Sequence, residues 1–399
     1  MCNCFARRAS GFVIAFLAFF SIMLSACGGG GSNSGSNSVG GSSAGNSGGT
    51  PPPSSSNPGG SSGGSGSTGS GGGSSSPGGS GAQGGTYVYA ILSSGGLGGY
   101  RLNSDGSLTA LSGSPFSVAG SNIAASGTHL FAAGQNQLVV YGIDPQTGSL
   151  TAQSQAAVAG IRQVAAAGGF VYATGIPSSG GWGIFAFSVA QNGTLTPVPG
   201  SPFPDIAACE PCVSPTSMTA GSKYLVTGAG EGPHGAGGFA LYPRQSNGAV
   251  QRTSAIGSSS VLWLALNQTE TVLYAIQDGD NSILVSSIDA NGQMTLLQDL
   301  LPPDPFNSAV PDPSGKYVVA AGATTLLSYV LTSDGKLTTE ASRAAIPGGK
   351  AIFDPSGHFV VLANSSGLIT FSFNASSGAF TKAGSTAVGT ASPPLAVAF

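Results

Sequence analysis

Ser333-Asp334-Gly335-Lys336-Leu337-Thr338 is a tight turn running into the start of a strand, and the chain repeats it. The other six copies are Ser104-Asp105-Gly106-Ser107-Leu108-Thr109, Gln146-Thr147-Gly148-Ser149-Leu150-Thr151, Gln191-Asn192-Gly193-Thr194-Leu195-Thr196, Ser246-Asn247-Gly248-Ala249-Val250-Gln251, Ala290-Asn291-Gly292-Gln293-Met294-Thr295 and Ser376-Ser377-Gly378-Ala379-Phe380-Thr381. From Gly106 to Gly378 the turn glycines are separated by 42, 45, 55, 44, 43 and 43 residues. Asp-Gly and Asn-Gly between apolar runs mark hairpins, because glycine accepts positive φ.

Working outward from the turn, an alternating strand precedes each copy, as in Ile184-Phe185-Ala186-Phe187-Ser188-Val189 and Ile369-Thr370-Phe371-Ser372-Phe373. A second strand lies upstream, as in Phe170-Val171-Tyr172-Ala173-Thr174 and Phe359-Val360-Val361-Leu362-Ala363. Two of these follow Asp-Pro-Ser-Gly, at Asp312 to Gly315 and Asp354 to Gly357, where Pro presets a type I turn. An innermost strand such as Ala351-Ile352-Phe353 comes first. Four short strands per repeat make one blade, so the sequence predicts an all-β, seven-bladed β-propeller over residues 86–399. It opens at Thr86 on what reads as a second strand and reaches Leu395-Ala396-Val397-Ala398-Phe399, which reads as an innermost one. The C-terminal strand is therefore expected to complete the first blade and remove two open edges.

Phe170-Val171-Tyr172-Ala173-Thr174-Gly175 and Asp312-Pro313-Ser314-Gly315-Lys316-Tyr317-Val318-Val319 resemble the propeller family named for its Tyr-Val-Thr-Asn repeat. They also resemble the seven-bladed lactonase-like family that includes bacterial phosphogluconolactonases. That resemblance implies the propeller fold and, as an activity, hydrolysis of sugar lactones. Lactone-opening members carry His beside Pro or Arg on inner strands, and Asn-Glu at the end of a second strand. Here the matching stretches read Pro215-Thr216-Ser217-Met218 and Gln277-Asp278, which argues against that chemistry.

The first part of the chain is a different material. Arg7-Arg8 followed by the apolar run Gly11 to Met23 has the form of a signal peptide over residues 1–26. Leu24-Ser25-Ala26-Cys27 resembles the lipobox of bacterial lipoproteins, which implies acylation of Cys27 and cleavage before it. In Gram-negative lipoproteins Gly28 at the next position favours the outer membrane, so the expected partner is membrane lipid and the expected location the cell envelope. Residues 27–85 are rich in Gly and Ser, cannot bury a core, and read as a disordered tether. At roughly 5–6 Å times the square root of its length, such a tether spans about 40 Å.

Charged residues make up 7% of the chain and its net charge is −3. With no basic excess, nucleic acid is excluded as a partner. The propeller is expected to be a monomer without a cofactor or metal. Of five cysteines, only Cys209 and Cys212 would remain free after export and acylation. Cys209-Glu210-Pro211-Cys212 reads as a small disulfide in an oxidising compartment. A zinc site would need two more ligands, which Glu231 and His234 could supply.

Three connections are long: Gly175 to Gly183 with Trp182, Pro199 to Pro215 with Asp205 and Glu210, and Gly228 to Gly238 with Glu231 and His234. They are expected on one face above the third and fourth blades. Trp182 reads as a stacking platform for a sugar or an aromatic ligand, and the expected ligand of the propeller is a carbohydrate or a protein. Glu231 and His234 read as solvated polar residues, with an acid–base pair as the alternative. Trp263 falls on an inner strand and is expected in the core, whereas His129 and His358 are expected at the surface. Asp278-Gly279-Asp280-Asn281 lacks a full calcium-loop spacing and reads as a hairpin. The inner strands are small or apolar, with Arg162 as their one expected charge and as a candidate anion contact. No catalytic set can be assembled. The sequence therefore points to a tethered binding or interaction propeller. A lactonase-like hydrolase and a structural envelope protein are the alternatives.

Overall fold

The computed structural model describes residues 85–118, 120–205, 214–230, 237–301, 303–387 and 390–398. Among them there is no helix, and the strands form seven sheets arranged as a β-propeller. From the inner edge outward, blade 1 is Thr390–Ala398, Thr86–Leu92, Leu97–Leu102 and Leu108–Ala110. Blade 2 is Asn122–Ser126, His129–Gly134, Gln137–Ile143 and Leu150–Ala157. Blade 3 is Val164–Ala167, Phe170–Gly175 and Gly183–Val189, with an outer edge split into Leu195–Pro197 and Phe203–Pro204. Blade 4 is Pro215–Ala220, Tyr224–Ala229, Gly237–Pro243 and Ser254–Ser258. Blade 5 is Val261–Leu266, Val272–Gln277, Ile283–Ile288 and Met294–Leu300. Blade 6 is Phe306–Pro311, Tyr317–Gly322, Thr325–Leu331 and Leu337–Ala345. Blade 7 is Lys350–Phe353, Phe359–Asn364, Gly367–Asn374 and Ala379–Thr386. In blade 1, Tyr87 pairs with Ala398 and Val88 with Val397, so the two ends of the domain share one sheet.

Each blade packs face to face with its neighbours, so its second strand is buried on both sides. Tyr224–Ala229 and Tyr317–Gly322 are buried throughout, which explains why these strands read as continuous apolar runs. Tyr274, Val285, Phe306, Val318 and Leu327 form one such core between blades 5 and 6. Outer strands such as Leu337–Ala345 face solvent and carry the polar residues.

The repeated turn has a second role. All seven landmark glycines have positive φ, between 71° and 86°. Each also offers its carbonyl oxygen to a hydroxyl of the preceding blade. Thr370 donates to Gly106, Tyr89 to Gly148, Ser154 to Gly193, Tyr172 to Gly248, Thr253 to Gly292, Tyr274 to Gly335 and Ser328 to Gly378. The chain of contacts runs once around the ring, including from blade 7 to blade 1.

His129 departs from its expected surface position. It is 9% exposed and sits at the head of a second strand. Strand alternation puts it on the same face as Phe131 and Ala133, which pack against blade 3. His358 is exposed, as expected. Asp278 to Asn281 form a hairpin: Asp280 accepts from Gln277 Nε2 and the Ser282 amide, both at 3.1 Å.

Candidate functional site

The inner strands surround a cavity of about 410 Å³ on the propeller axis, lined by blades 2 to 5 and blade 7. Small residues at Ala124, Ala125, Ala165, Ala166 and Ala220 leave this space open. Three inner strands carry a bulge near their start, between Pro215 and Ser217, between Val261 and Trp263, and between Phe306 and Ser308. A bulge re-aims the residues beside it, and here Thr216 and Leu262 reach the cavity.

One side of this cup is polar and neutral. Asn122 Nδ2 donates to Gln163 Oε1 at 2.7 Å, joining blades 2 and 3. Thr216 Oγ1 and Ser217 Oγ donate to the Val261 carbonyl at 2.6 and 3.1 Å, joining blades 4 and 5. The opposite side carries Trp263, Ile352 and Lys350. The Trp263 indole donates to the Ala309 carbonyl at 3.2 Å, and the Lys350 Nζ lies 5.5 Å from the centre of its ring. A cation over an indole face is attracted by the ring quadrupole.

Lys350 is the single ionisable side chain among the described residues lining the cup. The two ion pairs among the described residues, Lys336–Asp334 and Arg343–Glu340, lie elsewhere. Burial pushes the Lys350 amine below its ordinary value of 10.5. The ammonium therefore sits in a partly dry site facing an aromatic ring, with no carboxylate among the described residues to balance it.

The expected site residues are distributed differently. Arg162 is exposed in the connector ahead of Val164–Ala167 and does not line the cup. The third inner strand starts later than the sequence suggests, so Gln163 rather than Arg162 reaches the axis. The charge on an inner strand is Lys350, at the head of the seventh. Trp263, expected in the core, is half-buried; it packs between blades 5 and 6 and also lines the cup.

Trp182 is half-exposed, and its carbonyl accepts from the Asp205 amide at 3.1 Å. Asp205 is buried, with Oδ1 accepting from Thr227 Oγ1 at 2.9 Å and Tyr242 OH at 3.0 Å. The Gly230 amide donates to the Ser214 carbonyl, which brings together the bases of two of the long connections. Cys27, Cys209, Glu210, Cys212, Glu231 and His234 lie outside the described residues.

The position of Lys350 is marked in the sequence by strand alternation. Lys350 and Ile352 alternate toward the cup, while Ala351 points away into the core. The Gly348-Gly349 pair before them hides where the strand begins.

No family model and no curated protein matches the chain. Solved structures do. A Bacteroides uniformis structure, provisionally assigned as a 6-phosphogluconolactonase, is 18% identical with a TM-score of 0.62, covering 79% of this chain and all of that one. A Bacteroides fragilis structure with the same provisional assignment is 17% identical with a TM-score of 0.60, covering 81% of this chain and 99% of that one. The periplasmic gluconolactonase of Pseudomonas aeruginosa is 18% identical with a TM-score of 0.59, covering 79% of this chain and 99% of that one. At these identities the likeness shows the β-propeller fold alone.

Proposed function

We propose that this protein is a binding propeller whose axial cup takes a small, oxygen-rich anion of the sugar-acid class. Lys350 carries this reading. A cation that burial has partly stripped of water is unfavourable alone, and a ligand carboxylate balances it. The Asn122, Gln163, Ser121 and Thr216 side chains across the cup suit ligand hydroxyls. Among the described lining residues there is no His, Asp or Glu to activate water, which supports binding over turnover. The lipobox-like Leu24 to Cys27 and the Gly/Ser-rich segment support display on a membrane through acylated Cys27. Hydrolysis of a sugar lactone is the second reading, favoured by the fold shared with the gluconolactonase.

Calorimetry on the full-length protein tests the first reading, with gluconate against glucose as the neutral comparator. Gluconate is expected to bind and glucose to bind more weakly. Lys350→Met should weaken gluconate by about tenfold or more, since a hydrogen bond to a charged group contributes about 1.5–3 kcal/mol. An anion stabilises the protonated amine, so binding takes up protons and affinity falls as pH rises through the lowered Lys350 value. Equal binding of gluconate by wild type and variant would remove Lys350 from the site. Turnover of gluconolactone that disappears in Lys350→Met would establish the hydrolase instead. Separately, Cys27→Ala should move the protein from the membrane to the soluble fraction; sedimentation unchanged by that substitution would refute the lipid anchor.

A further inference from the structure

We propose that Lys350 forms a reversible imine with a carbonyl-bearing ligand, a 2-oxo acid or the aldehyde form of a sugar acid. The inference rests on the anion-binding reading above and adds a covalent step to it. A lysine acts as a nucleophile only as the free amine, and burial makes that form accessible. Lys350 has this setting. It projects into an open cavity on the axis beside Ile352, with its Nζ over the Trp263 ring. No acidic side chain among the described lining residues holds it as an ammonium, and burial lowers its pKa.

The cavity leaves room for a second reactant, and a carboxylate drawn in by the charged form places a neighbouring carbonyl near the same nitrogen. The Nζ lone pair attacks the carbonyl carbon, forming the C–N bond while the C=O π pair moves to oxygen. That oxygen gains two protons, one from the nitrogen and one from solvent, and leaves as water while the C=N bond forms with one proton still on the nitrogen. Addition of water reverses the sequence, and no oxidant or reductant is needed. The protonated imine restores the positive charge, so the carboxylate is balanced again in the product.

Glyoxylate is the probe, with cyanoborohydride present to reduce any imine to a carboxymethyl amine. The chain has five lysines, and the exposed Lys223, Lys316 and Lys382 serve as internal references. Peptide mass mapping of the full-length protein is expected to show Lys350 labelled about tenfold faster than these, reflecting a carbonyl held at the amine. Excess glycolate, which has the carboxylate but no carbonyl, should suppress that excess. Lys350→Arg should still bind glycolate by calorimetry and show no fast-labelled position.

Labelling of Lys350 no faster than the reference lysines would overturn the imine. Glycolate binding then decides the parent reading: heat lost in Lys350→Met would keep the anion site, and no heat in wild type would remove it too. A fast-labelled lysine persisting in Lys350→Arg would also overturn the proposal.

Discussion

Gly248→Val is expected to destabilise the protein by about 4 kcal/mol, the sum of left-handed backbone strain and overpacking. Gly248 has φ +84°, a conformation that a β-branched residue adopts only under strain. A Cβ there would also fall inside contact distance of the Phe170 ring in the preceding blade. That ring has little room to swing away. The Arg244 guanidinium lies 5.6 Å from its centre and is held by the Tyr172 hydroxyl at 2.9 Å and the Ala167 carbonyl at 2.7 Å. Gly279 provides the control, because its φ is +96° but nothing lies within 4 Å of a Cβ there. Gly279→Val should show the strain alone, about 1–2 kcal/mol. Urea unfolding of both variants measures the difference, and equal losses would show that the blade contact contributes nothing.

Glu270→Ala is expected to be the next most damaging, at about 2 kcal/mol. Glu270 is 6% exposed, in a turn of blade 5. Its carboxylate accepts the Ser222 amide and hydroxyl, both at 2.6 Å, and the Lys223 and Tyr224 amides, both at 2.9 Å. One side chain therefore caps the whole turn that leads into the second strand of blade 4. Removing it leaves three backbone N–H groups without their acceptor, one of them on the buried Tyr224. Glu270→Gln retains an acceptor and should lose less. Hydrogen exchange at Ser222 to Tyr224 reads the effect locally. Exchange there unchanged in Glu270→Ala would mean that the carboxylate does not hold the turn.

The ring was legible because its turn needs glycine twice over, for positive φ and for closeness to the preceding blade. Both demands fall on the same position, so Gly106 to Gly378 recur even where neighbouring residues change. The hydroxyl donors follow no such pattern. Tyr89, Tyr172 and Tyr274 come from second strands, Thr370 and Ser328 from third strands, and Ser154 from a fourth. Only packing shows that they do the same work. The axial cup was less legible than the blades. Its residues come from five blades, and whether each faces the axis depends on where a short strand begins. Bulges at Thr216 and Leu262 and the glycines before Lys350 shift that phase by a residue, which a period-two pattern cannot anticipate. The same sensitivity to phase hid the burial of His129.

The joints between blades place different demands on their two halves. The acceptor is main chain, so mutational drift in a turn cannot delete it while the glycine remains. The donor can be Tyr, Ser or Thr, reaching from any of several strands. Each joint therefore requires one glycine at a fixed position and a hydroxyl within range, but no particular residue to carry that hydroxyl. The joints therefore fix the ring without fixing the residues of the axial cup, none of which takes part in them.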